Sequence, residues 1–187
     1  MLKKLSNWWR WIIHPLPQEL RNFHQTVVIA GIEYELSPAR LDEATEIMEV
    51  ERDAYFGKEP WPIELFWSEI NRQQGRLYIV LRARETKTIV AYIGTAFRPG
   101  LREVHVTNIA VKRQWQHRGI GKFLILYVMS VAAQIKFKTV TLETRQSNAI
   151  ARKLYQTLGF KQVRTKRRYY DDHEDAIEMM ASLGGAH

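Results

Sequence analysis

Cysteine is absent from the 187 residues. That excludes a disulfide framework, a thiolate metal cluster and acyl transfer through a cysteine thioester. It also fits a reducing compartment, so the expected location is the cytoplasm. No apolar run approaches the roughly 20 residues that a membrane-spanning helix needs. Residues 1–15 lack the clean apolar block and small-residue cleavage site of a secretory signal. Acidic residues are missing throughout 104–142, which leaves the middle of the chain free of opposing charge for an anionic ligand.

What is present describes a globular domain: 45% hydrophobic and 26% charged residues, with a net charge of +8. The excess charge gathers at Lys112, Arg113, Arg118 and Lys122, and again at Lys161, Arg164, Lys166, Arg167 and Arg168. Neither group interleaves aromatics as a single-strand surface does, so no direct nucleic-acid readout is expected.

The first 30 residues read as a basic amphipathic extension. Leu5, Trp8, Trp9, Ile12 and Ile13 form a helical apolar stripe that Pro15 and Pro17 end. This stripe offers packing on the domain, or docking on a partner or membrane surface. Residues 31–187 read as one mixed α/β (α+β) domain, with helices flanking a central sheet in the order β-α-α-β-β-β-α-β-α-β-β. The expected strands are 32–36, 77–83, 88–97, 103–111, 139–144, 161–170 and 175–181. The expected helices begin at Ser37-Pro38, near Ile63, at Gly119 and at Ser147.

The chemistry concentrates after the strand ending Asn108-Ile-Ala-Val111. A loop follows, then Gln116-His-Arg-Gly-Ile-Gly121 at a helix start. Free N–H groups at a helix N-terminus, with the helix dipole behind them, make an anion site. Glycine lets that backbone approach phosphate closely. A P-loop is excluded because G-x-x-x-x-G-K-[ST] is missing, and a dinucleotide loop would need a third glycine.

N-I-A-V followed by Q-x-x-G-x-G resembles the central motif of the GNAT acetyltransferases. Leu142 to Phe160 (L-E-T-R-Q-S-N-A-I-A-R-K-L-Y-Q-T-L-G-F) is similar to the branch that acetylates the N-terminal alanine of a ribosomal protein. So are R-R-Y-Y at 167–170 and the run from Glu174 to Met179. His117 departs from that branch, which has arginine there.

The resemblance implies a GNAT fold with a mostly antiparallel mixed sheet, and acetyl-CoA as cosubstrate without a metal. The implied acceptor is a protein N-terminus, with a small-subunit ribosomal protein as the expected partner. It implies Glu143 as general base and Tyr155 as general acid. Backbone of Ile109, Ala110 and Val111 would hold the acetyl and pantetheine portion. His117, Arg118, Gly119, Ile120, Gly121 and Lys122 would hold the pyrophosphate, and Asn148 the pantetheine arm. Glu51, Tyr55 and Trp61 are candidates for shaping the peptide site. His117 is assigned no proton transfer, and His105 a structural place. Two other readings stay open: a lysine or small-amine acetyltransferase, and a ribosome- or RNA-associated module that keeps only the fold.

Overall fold

The computed structural model describes residues 16–56, 61–72 and 74–184. The apolar stripe at 5–13 and part of the 55–62 stretch lie outside the described residues.

A short helix α1 (Gln18–Arg21) precedes strands β1 (Gln25–Ile29) and β2 (Ile32–Pro38). Helices α2 (Ala44–Ala54) and α3 (Ile63–Asn71) follow, then β3 (Arg76–Ala83), β4 (Ile89–Arg98) and β5 (Glu103–Val111). The chain continues through α4 (Ile120–Gln134), β6 (Thr139–Arg145), α5 (Ala149–Thr157), β7 (Lys161–Lys166) and β8 (Ala176–Ser182). The eight strands form one sheet in the order β1-β2-β3-β4-β5-β6-β8-β7. Every neighbouring pair is antiparallel except β5 with β6. Among the described residues no helix is long and apolar enough to cross a membrane.

The sheet is covered on both faces, which is why β3 and β4 read as nearly continuous apolar runs instead of alternating. In β3, Leu77, Ile79 and Leu81 face the core shared with Leu124, Val128 and Tyr155 of α4 and α5. Tyr78 and Val80 face the other way, against Ile47 and Val50 of α2 and Phe66 of α3.

Three features differ from the sequence expectation. Residues 25–29 form a strand paired to β2. The hairpin turns on Ala30 and Gly31, at φ 49° and 80°. Two left-handed residues make the tight turn that suits strand twist, and alanine there gives none of the asparagine or aspartate signal that marks such turns. Ser37-Pro38 ends β2 and does not open a helix. The first helical turn instead starts at Leu41, where the Arg40 amide donates to the Glu43 carboxylate at 2.8 Å. The strand expected over 161–170 stops at Lys166, beyond which Arg168 takes a positive φ of 48° and its amide donates to Asp175.

One register shift positions the rest. Gly94 pairs Asn108, but Thr95 pairs Val106, so Thr107 is an extra residue on β5. Such a bulge bends its strand and increases twist. On its other edge β5 pairs β6 only from Glu103–Thr139 to Val106–Leu142. Beyond Val106 and Leu142 no pairing joins the two parallel strands among the described residues, which leaves a wedge between 107–111 and 143–145.

Gly94 is required at the bulge. A Cβ there would lie 2.2 Å from Asn108 Oδ1 and 2.5 Å from Tyr78 Cζ. The Gly94→Ala variant is expected to lose about 1–3 kcal/mol of stability by overpacking. Urea unfolding of the two proteins measures it, and an unchanged midpoint would contradict the account.

Candidate active site

The wedge is lined by backbone on the β5 side. Lys112 N–H donates to Val90 C=O at 2.9 Å, so Lys112 faces β4. Alternation along the strand then turns Ala110 toward its β4 partner Tyr92, and Ile109 and Val111 toward the wedge. The Val111 carbonyl accepts from Gln116 Nε2 at 3.0 Å. That bond pins the following loop to the strand and explains the glutamine of Q-x-x-G-x-G.

The loop delivers a helix start to the foot of the wedge. His117 and Gly119 adopt positive φ of 60° and 81°, and Gly119 caps α4. The first α4 bond runs from Phe123 N–H to Gly119 C=O at 2.9 Å. The amides of Ile120, Gly121 and Lys122 therefore have no partner within the helix. A Cβ on Gly121 would meet only Leu154 Cδ2, at 3.9 Å. Nothing among the described residues excludes alanine there, so the bare backbone suits a ligand resting on it. Arg118 folds back on the loop, donating to Gln114 C=O at 3.1 Å with its guanidinium 4.8 Å from the Trp115 ring. Lys122 and His117 are exposed.

Glu143 lies on β6 at the other wall. Lys166 Nζ donates to its Oε1, and His105 Nε2 lies 3.0 Å from its Oε2. Burial alone would raise its pKa, but hydrogen bonds and charge from His105 and Lys166 outweigh that and bring it to about 2. The carboxylate is thus ionised and acceptor-only at neutral pH. His105, read from sequence as structural, bonds directly to Glu143 and through Nδ1 to Thr141 Oγ1 at 2.9 Å. The sequence alone does not signal this meeting, because it depends on the parallel register that places His105 beside Thr141.

Tyr155 is buried on α5, its ring 5.9 Å from Phe160. Burial, reinforced by Tyr55 and Tyr170, holds its hydroxyl well above the ordinary phenol range. Tyr170 is raised likewise by burial, and it senses Tyr55, Arg145 and Glu143. Its ring lies 4.1 Å under the Arg145 guanidinium. Within R-R-Y-Y nothing local marks Tyr170 for the site; the fold brings it beside Arg145. Asn148 caps α5 and is not in its first turn. Its side-chain carbonyl accepts from Ala151 N–H at 3.0 Å, which leaves the carboxamide N–H₂ for other partners.

Glu51, Tyr55 and Trp61 do come together. The buried Glu51 carboxylate accepts from Trp61 N–H at 3.1 Å. Burial raises its pKa against the opposing bonds from Trp61 and Tyr92. Tyr55 keeps 43% of its surface exposed, yet its hydroxyl is deep enough for burial and Glu51 to raise its pKa. From Glu51 a polar chain runs through Tyr92 to Asn108, whose Nδ2 donates to Tyr92 Oη at 3.1 Å. The asparagine of N-I-A-V thereby ties the bulge to α2.

Residues 44–160 match the Acetyltransferase (GNAT) family. The chain is 32% identical over 164 residues to an N-alpha-acetyltransferase of Sulfurisphaera tokodaii, covering 82% of this chain and 95% of that protein. It is 34% identical over 123 residues to the [ribosomal protein bS18]-alanine N-acetyltransferase of Salmonella typhimurium, covering 64% and 79%. The crystal structure of the Escherichia coli ribosomal-protein-S18-alanine N-acetyltransferase superposes with a TM-score of 0.72 at 29% identity, covering 82% of this chain and 96% of that one.

The Glu143 pairing has a pH signature. Its folded pKa is depressed from 4.5 to about 2. The stability it contributes is therefore present above about pH 4.5 and is lost as the pH falls toward 2. Glu143→Gln is expected to be less stable than the parent at pH 6, with the gap narrowing by pH 3. Urea unfolding at the two pH values checks this, and a gap independent of pH would contradict it.

Proposed function

The chain belongs to the GNAT acetyltransferase family, and from that premise we propose that it transfers the acetyl group of acetyl-CoA to the N-terminal α-amine of a protein. The observation that carries this reading is the wedge between β5 and β6, with the open α4 N-terminus at its foot and Glu143 on its far wall. The relatives' names point to an α-amine acceptor and, within the ribosomal branch, to the N-terminal alanine of a small-subunit ribosomal protein.

The residues present suit the cosubstrate. The amides of Ile120, Gly121 and Lys122, which have no partner within the helix, the bare Gly121 backbone and the Lys122 charge fit a pyrophosphate. Ile109 and the Val111 N–H offer strand-type bonds to a pantetheine arm, and the Asn148 carboxamide N–H₂ can join them. Acetyl-CoA supplies an activated thioester. The chain's own groups orient it and manage two protons. An N–H at the β5 edge faces the developing oxyanion. Glu143 receives the proton lost by the attacking amine, directly or through a water. Tyr155, kept protonated by burial, donates to the departing thiolate. In sum a C–N bond forms, the C–S bond breaks, and one proton moves from amine to sulfur by way of the protein.

An α-ammonium titrates near 7.7–8.0 against about 10.4 for lysine. A carboxylate as weakly basic as Glu143 therefore suits the α-amine better, since less work is left to the base. Glu51, Tyr55 and Trp61, with Tyr170 opposite, are proposed to shape the entry of the peptide.

Mass spectrometry of synthetic peptides incubated with the protein and acetyl-CoA tests the reading. Alanine-starting peptides should gain one acetyl group on the α-nitrogen, and the same peptides with a blocked α-amine and a free lysine should gain none. Acetylation of the lysine alone would overturn it.

A further inference from the structure

Glu143 has two partners, and they approach from opposite sides. Lys166 arrives from β7 and holds Oε1, while His105 arrives from β5 and holds Oε2 at 3.0 Å. Lys166 is shared, since its ammonium also lies 3.6 Å from Glu178 on β8. The charged and titratable groups facing Glu143 are thus His105, Lys166 and Glu178, with Tyr169 and Tyr170 farther out. All but His105 come from the β7–β8 side, away from the wedge.

The carboxylate fixes the role of one ring nitrogen. An ionised carboxylate only accepts, so Nε2 donates to Glu143. On the other side of the ring, Nδ1 is hydrogen-bonded to the Thr141 hydroxyl at 2.9 Å. Thr141 is 3% exposed and His105 8%, so the ring is held in a buried setting with both nitrogens engaged. His105 also occupies the penultimate paired position before β5 and β6 part.

From this arrangement the geometry assigns His105 as the positioning residue for the base: it holds one oxygen of Glu143 at the mouth of the β5–β6 wedge against the pull of Lys166. Without that donor, the ammonium is free to draw both carboxylate oxygens toward β8. His105 acts through Glu143 and takes no proton from substrate itself. The inference rests on the acetyltransferase reading and deepens it, because it names what makes a strongly paired carboxylate usable.

Three variants of the full chain test the assignment: His105→Leu, His105→Gln and Thr141→Val, each checked for folding by thermal melt. Relative to the parent, His105→Leu is expected to lower kcat/KM for an alanine-starting peptide at least about tenfold while the Kd for coenzyme A stays within about twofold, and His105→Gln, which keeps a donor, should recover most of the loss. Thr141→Val should show a smaller loss in the same direction. The deficit should shrink for a peptide starting with 3-fluoroalanine, whose more acidic ammonium needs less help from a base. A packing role alone would cost both peptides equally.

Equal losses in the Leu and Gln variants, equal deficits on the two peptides, or full activity in His105→Leu would each overturn the assignment. Should His105→Leu fail to fold, the Gln and Thr141→Val variants decide by the same peptide comparison. A parent enzyme that acetylates only lysine would refute the α-amine reading, and the same variants assayed on that amine would still decide the role of His105. A parent that acetylates no amine refutes both.

Discussion

The site depends on one extra residue in one strand. Thr107 has no counterpart on β4, and from that point β5 leaves β6. Two parallel strands separating inside a sheet expose backbone hydrogen-bonding groups that would otherwise be spent on a ladder, and buried groups of that kind demand partners. Ile109 and Val111 carry them here. Gly94 makes room for the bulge, the Asn108 carboxamide ties it to Tyr92, and Gln116 pins the next loop back on Val111. The N-I-A-V and Q-x-x-G-x-G motifs are thus halves of one device that opens a slot and sets a helix N-terminus at its base.

Across the slot, electrostatics and proton transfer pull in opposite directions. The bonds that keep Glu143 ionised also make it a weak base, with a pKa of about 2. An α-amine tolerates this because much of its proton loss is already favourable near neutral pH. Tyr155 shows the complementary arrangement: burial keeps its proton on, as a donor to a thiolate requires. Two groups whose environments drive their pKa values apart divide the acid and base roles between them.

Local signals made most elements legible. Strand β5 and helix α4 follow directly from alternation, glycine placement and the acid-free stretch after Glu103. Long-range register was not legible. No local pattern announces that Thr107 bulges, that His105 lies beside Thr141, or that Lys166 crosses to Glu143. The hairpin at Ala30-Gly31 escaped because alanine seldom takes the left-handed conformation that it adopts there. Asn148 shows the remaining ambiguity, since the same residue type serves as a helix cap and as a ligand-binding amide. Only the fold assigns its carbonyl to the cap.

The central claim is that the β5 edge and the α4 start together form one cosubstrate slot. Backbone amide chemical shifts, recorded by NMR with and without coenzyme A, test it most directly. The account predicts large perturbations at Ile109, Val111, Ile120, Gly121 and Lys122, with Ala110 moving less because its amide is bonded to β4. Perturbations that spare the β5 edge, or that fall on Ala110 as strongly as on its neighbours, would contradict it.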